Sequence, residues 1–327
     1  WYGSATFVFD RDRPAKRRRR ERSLDSDFRD CVEGICDAIR IALSTGDFAV
    51  KTILVPTEPN TVMHATLETA LLVAKEFNSY IEGFAVRVAA PTVVAMDVAP
   101  SASFAFFEEE NAEAARQSRE LFDSFMREHG VSAMRQPQNA PTCGWVEESP
   151  EGDSYIGQRG RVFDLIVIGR PSDDPRGPYM STFEAGLFES GRPILLAPPV
   201  PPPHVGRNIL IAWNCSTEQA RATAFAMPFL ARAEQITIIT VDQATVPGPT
   251  AEELAANLAI HGIHADTITF KGDNRTAGQT ILNHARSLGC DLVVKGAYTQ
   301  SRLRQLIFGG TTRHILMHAE VPVLTAH

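Results

Sequence analysis

The sequence predicts an α/β protein built from two tandem, doubly wound, five-stranded parallel sheets. Three observations carry that expectation: the chain repeats itself once, short β-branched runs alternate with helical periods inside each repeat, and a run of prolines separates the repeats. With 327 residues, 44% of them apolar and 22% charged, there is material for two buried cores. The net charge of −7 repels nucleic acid and anionic membrane surfaces, so neither is an expected partner.

Residues 1–49 stand apart. They hold ten basic and nine acidic side chains, including the run Lys16-Arg17-Arg18-Arg19-Arg20, and no sustained apolar period precedes Val32. Such a segment is expected to be unstructured. The interleaved acids of 21–37 do not suit a transit peptide, and the long apolar stretch of a secretion signal is missing. The segment reads as an upstream extension without a role, and the first domain, 50–198, opens at Val50-Lys51-Thr52-Ile53-Leu54-Val55-Pro56.

The repeat keeps its order throughout. Lys51–Asn60 matches Arg207–Ser216 at an offset of 156, His129-Gly130-Val131 matches His261-Gly262-Ile263 at 132, Asp164–Gly169 matches Asp291–Gly296 at 127, and Arg192–Ala197 matches Val321–Ala326 at 129. The fall from 156 to 132 places some 24 extra residues in the first half, around Ala89–Phe107. Pro198–Pro203 is an extended spacer. The second domain, 206–327, reads as strands near 207–213, 235–241, 264–270, 291–295 and 321–326, with helices near 216–232, 250–261, 276–288 and 311–318.

Five strands and four crossovers fit a flavodoxin-like sheet of order 3-2-1-4-5, whose ligand crevice lies beyond the carboxyl ends of strands 1 and 4. Ala212, Trp213, Asn214 and Cys215 leave strand 1 there, and Gly296 leaves strand 4. Gly309-Gly310-Thr311-Thr312 then opens the last long helix. Unhindered backbone N–H groups, hydroxyls and a helix N-terminus outline a phosphate cradle, although the same Gly-Gly-Thr is also an ordinary helix cap.

Other chemistry finds no footing. There is no Gly-x4-Gly-Lys-(Ser/Thr) and no Gly-x-Gly-x-x-Gly after either first strand, which excludes a P-loop NTPase and argues against a Rossmann dehydrogenase. Ser154, in Gly152-Asp153-Ser154-Tyr155-Ile156-Gly157, lacks the glycine spacing of a nucleophile elbow. His314 and His318 share a helix face without a third ligand, His261 and His264 lie away from the crevice, and Asp173-Asp174 reads as a solvated loop. Cys215, at a helix start, has either a lowered thiol pKa or the role of a small buried residue. Five cysteines without a Cys-x-x-Cys pair point to a reducing cytoplasm, and every apolar run is too short to span a membrane.

The tandem halves, the two Asp-Leu-(Ile/Val)-Val-x-Gly strands, the closing strands Pro193–Ala197 and Val321–Ala326, and the Gly296 to Gly309 spacing together resemble the universal stress protein family in its tandem-domain bacterial form. The resemblance covers about 50–327 and implies an adenine-nucleotide alpha hydrolase-like fold. Nucleotide-binding members hold ATP phosphates on Gly-x2-Gly-x9-Gly-(Ser/Thr). Here Gly296, Thr299, Gly309 and Gly310 fall on those positions, with Thr311 one residue late. Asn214 replaces the strand-1 acid, and Val241 stands where an apolar residue packs on the adenine. The first half departs further, with Glu58 on strand 1 and Pro171 and Pro175 removing N–H donors after Gly169.

The resemblance therefore implies a cytoplasmic stress-response or signalling protein that binds ATP, with or without Mg²⁺, in its second half and is at most a slow ATPase. The alternative is a nucleotide-free interaction module with two vestigial sites. The final strands of the two halves are expected to pair within the chain, or between chains in a homodimer, because exposed apolar edges need cover. Deleting residues 1–49 should leave the thermal midpoint unchanged in a calorimetric scan, since that segment offers little apolar area to bury.

Overall fold

The computed structural model describes residues 49–89, 101–135, 139–172, 177–242, 244–272, 277–297 and 310–327. The expectations for residues 1–48, for Asp173, Asp174 and Pro175, and for Thr299 and Gly309 lie outside the described residues.

In the first half β1 (Thr52–Thr57) leads through α1 (Met63–Phe77) to β2 (Tyr80–Ala85), followed by α2 (Ser101–Glu128), β3 (Ser132–Ala133) and β4 (Thr142–Val146). Then come α3 (Ser154–Gly160), β5 (Leu165–Gly169), α4 (Met180–Glu189) and β6 (Ile194–Ala197). The second half runs β7 (Asn208–Ala212), α5 (Thr217–Leu230), β8 (Gln235–Val241), α6 (Ala251–Ile260), β9 (Asp266–Phe270), α7 (Ala277–Ser287), β10 (Leu292–Gly296), α8 (Thr311–His318) and β11 (Val323–Ala326). Residues 101–107, within the stretch that is extra to the first half, belong to the 28-residue α2.

Instead of two five-stranded sheets, the strands form one continuous eleven-stranded sheet in the order β3-β4-β2-β1-β5-β6-β11-β10-β7-β8-β9. The added strand is the two-residue β3, which pairs with β4 in parallel. The halves meet where β6 and β11 run antiparallel, with Leu195 opposite Leu324 and Leu196 opposite Val323. All four of these side chains are buried. Strands this apolar on both faces cannot stay at an edge, and joining them satisfies two rows of backbone groups at once.

Helices cover both faces of the sheet. One core layer collects α1, α2, α5 and α6 through residues such as Leu67, Phe122, Phe229 and Leu258. The other collects α3, α4, α7 and α8 through Ile156, Phe183, Ile281 and Ile315. The first layer also crosses the joint: Phe77 and Phe229 meet edge to face with centroids 5.3 Å apart, and the Arg232 guanidinium lies 4.5 Å from the Phe77 ring centroid.

Two repeated motifs have local structural causes. Asp164 accepts hydrogen bonds from the Lys51 and Thr52 N–H groups, each at 2.9 Å, and Asp291 accepts from the N–H groups of Gly206, Arg207 and Asn208. Each carboxylate thus clamps the start of strand 1 to the start of strand 4 in its own half. Gly130 and Gly262 follow helix ends at φ of +67° and +75°, a left-handed conformation that favours glycine.

The joint gives a direct test. Leu195→Lys and Val323→Lys each place an unpaired charge in the buried β6–β11 contact and should each cost about 1–3 kcal/mol or more in urea denaturation. The same change at exposed Val200 in the proline spacer should be nearly neutral.

Candidate functional site

The crevice of the second half lies between the carboxyl ends of β7 and β10, where the strand order reverses. Its geometry starts from Gly296. A Cβ placed there would come within 2.3 Å of the Gln219 backbone nitrogen, so only glycine lets the first turn of α5 approach β10 this closely. Fully buried Gln219 bridges the two elements: its Oε1 accepts from the Gly296 N–H at 2.8 Å, and its Nε2 donates to the Val294 carbonyl at 3.3 Å. Ser216 caps α5 by accepting from the Gln219 N–H at 3.2 Å.

Along strand 1 the predicted residues separate. Ala212 and Val241 are buried together in the layer under α7 and α8, forming an apolar floor. Trp213 instead sends its ring into the opposite layer, and its indole N–H donates to the Pro249 carbonyl at 2.8 Å. It anchors the following loop and leaves its backbone at the crevice. Asn214 turns its Oδ1 to the Ser216 N–H at 3.3 Å, while its carbonyl accepts from Val246 at 3.1 Å. Cys215 takes φ of +65°, rare for a residue with a Cβ, and burial pushes its thiol above the ordinary range. A lowered thiol pKa is thereby corrected.

Gly310 is the N-cap of α8, in extended backbone, and as a glycine brings no capping side chain of its own. Among the described residues a Cβ added at Gly310 would meet nothing within 4 Å. Thr311 is the first residue of the helix. Gly296, Asn214, Gly310 and Thr311 therefore hold their places at element ends around the switch point, with Thr299 and Gly309 outside the described residues.

The first half fills the corresponding place itself. Glu58, the counterpart of Asn214, is buried, and its Oε1 accepts from the Thr182 hydroxyl at 2.7 Å while its Oε2 accepts from the Asn60 amide at 3.1 Å. Burial outweighs these bonds and raises its carboxyl above the usual range. A Cβ at Gly169 would lie 2.8 Å from the Pro178 ring, just as one at its counterpart Gly296 would meet α5.

Three residues around Gly296 escaped sequence reasoning: Gln219, Glu218 and Lys295. Among the described residues Glu218 Oε2 is buried without a hydrogen-bond partner. Lys295 is 4% exposed, and burial pushes its ammonium down to about 8 against the pull of Glu218. The available signal was the charge interrupting the apolar run Leu292-Val293-Val294-Lys295-Gly296. His314 and His318 stack at 4.3 Å, and burial followed by the charge of His318 lowers the His314 pKa. Among the described residues no three His, Cys, Asp or Glu side chains converge as metal ligands.

These features define a doubly wound α/β protein whose two halves share one sheet and differ at their switch points. The model of the universal stress protein family matches residues 206–327, within the second half. The whole fold is similar to that of a universal stress protein from Archaeoglobus fulgidus DSM 4304, with TM-score 0.65 and 17% identity over 85% of this chain and 97% of that one. A functionally unknown protein from Pseudomonas aeruginosa PAO1 gives TM-score 0.49 and 17% identity over 85% and 92% of the two chains. The universal stress protein UspA from Lactobacillus plantarum gives 0.28 and 20% over 38% and 99%. No curated protein matches the sequence.

Glu58 supplies a pH test. Its folded value lies above the ordinary 4.5, so the ionised form costs stability as pH rises through the folded value, and the cost vanishes below 4.5 where both states are protonated. Glu58→Gln, which keeps a carbonyl acceptor for Thr182, should raise the melting temperature at pH 7, and the gain should disappear as pH falls below 4.5.

Proposed function

We propose that the protein binds ATP or a related adenine nucleotide, with or without Mg²⁺, in the crevice of its second half. In this reading it serves stress response or signalling in the cytoplasm without efficient turnover. Gly296, Gly310 and Thr311 hold the phosphates, joined by Thr299 and Gly309 from the motif, and Asn214 and Val241 face the adenosine above Ala212. The match of the universal stress protein family model to 206–327 supports this assignment. The observation that carries it is the contrast between the halves: Glu58 and Thr182 fill one switch point, whereas in the other, among the described residues, nothing lies within 4 Å of a Cβ at Gly310, the N-cap of α8. Among the described residues no helix is long and apolar enough to cross a membrane.

Gly310 offers a clean probe because, among the described residues, a side chain there meets no neighbour. Gly310→Val should fold with stability within about 1 kcal/mol of the unaltered protein, yet place its methyls where the phosphates would lie. Calorimetric titration should show ATP binding by the unaltered protein and none by the variant. Absence of heat with millimolar ATP, or equal affinity in the two proteins, would overturn the assignment and favour a nucleotide-free interaction module.

A further inference from the structure

Lys295 interrupts an otherwise apolar strand. Val293 and Ala297, two residues before and after it, both belong to the layer under α7 and α8, and strand alternation sends Lys295 into the same layer. It stands opposite Thr325 of β11 and is 4% exposed. Among the described residues its ammonium makes no hydrogen bond and no ion pair, and Glu218 acts on it only through its field. The hydroxyl of Thr325 and Nε2 of His314 are likewise buried without partners. A buried cation whose nearest opposite charge makes no direct bond to it is costly, and its register partner Thr325 adds an unpaired hydroxyl.

The surroundings sharpen the imbalance. A Cβ on Gly278 would lie 3.0 Å from the Thr311 carbonyl, so the start of α7 packs on the start of α8. Two helix N-termini, each with partial positive charge, thus meet at the carboxyl end of the strand that carries Lys295. The first half shows what answers such a place. By the repeat, Glu58 corresponds to Asn214, Thr182 to Thr311 and Ile168 to Lys295. There a carboxylate from strand 1 accepts from the Thr182 hydroxyl in the first turn of α4, and strand 4 carries no cation. The second half has the reverse set: a neutral amide on strand 1 and a lysine on strand 4.

We propose that Lys295 is the buried counter-charge for the phosphate chain of the second half's ligand and selects phosphorylated over neutral nucleosides. This rests on the nucleotide assignment above and adds a specificity residue to it. The first half carries its anion within the chain, and the second takes one from solution.

The experiment compares unaltered protein with Lys295→Met, a change of similar length, using ATP, adenosine and inorganic tripolyphosphate as separate probes in calorimetry and thermal shift. Lys295→Met should bind ATP about tenfold more weakly or worse, as expected for loss of a charge-assisted contact. Adenosine affinity should stay within about twofold, and the ligand-free variant should melt higher than the unaltered protein. Unchanged ATP affinity, or equal losses for ATP and adenosine, would overturn the proposal. If neither nucleotide binds but tripolyphosphate raises the melting temperature only when Lys295 is present, the nucleotide assignment falls and the anion site stands. No response to any of the three probes by the unaltered protein would remove both.

Discussion

Antiparallel pairing of β6 with β11 is the contact on which the rest of the structure depends. Each half ends in a short strand with apolar side chains on both faces, and neither strand could remain at the border of a sheet. Their union makes a single sheet and sets the strands of the two halves in opposite directions. The two crevices consequently open at opposite ends of the sheet. Each end also meets the final helix of the other half: Arg170, just beyond β5, donates to the carbonyl of Ala319 after α8 at 2.7 Å, and His327, beyond β11, packs its ring on Phe188 of α4. Placing a guanidinium against a helix C-terminus is favourable in itself, and here it ties the halves together away from the main joint.

Within that frame, the repeated halves retain their scaffolding and diverge in charge. The Asp164 and Asp291 clamps serve equivalent strand starts, and the glycines after α2 and α6 end equivalent helices. At the switch points the similarity stops. The first half holds a carboxylate buried against Thr182, while the second, among the described residues, has nothing within 4 Å of a Cβ at Gly310 and places Glu218 and Lys295 near Gly296 without direct hydrogen-bonded partners for Glu218 Oε2 or for the ammonium. Buried polar groups left in this state are uncommon in parts of a fold that serve packing alone. Among the described residues such atoms occur in both halves, at Ser118, Thr142 and Arg170 in the first and at Glu218, Thr240, His314 and Thr325 in the second.

What the sequence by itself determined was local or periodic. Alternating runs marked the strands of 206–327 within a few residues of β7 to β11, and the repeat located Gly296 and Gly310 at element ends because both positions follow from chain order. Tertiary structure alone decided the rest. The single sheet depends on β6 meeting β11, Glu58 finds Thr182 across 124 residues, and Gln219 reaches Gly296 across 77. Trp213 was legible as a crevice neighbour, but the direction of its ring was not, since one step along a strand moves a side chain to the other face. Lys295 was visible as a charge in an apolar run, whereas its burial and lack of a partner came only from the packing of distant helices. Short-range pattern fixes the period of each element; which distant groups share a buried space is set by long-range contacts that no local spacing encodes.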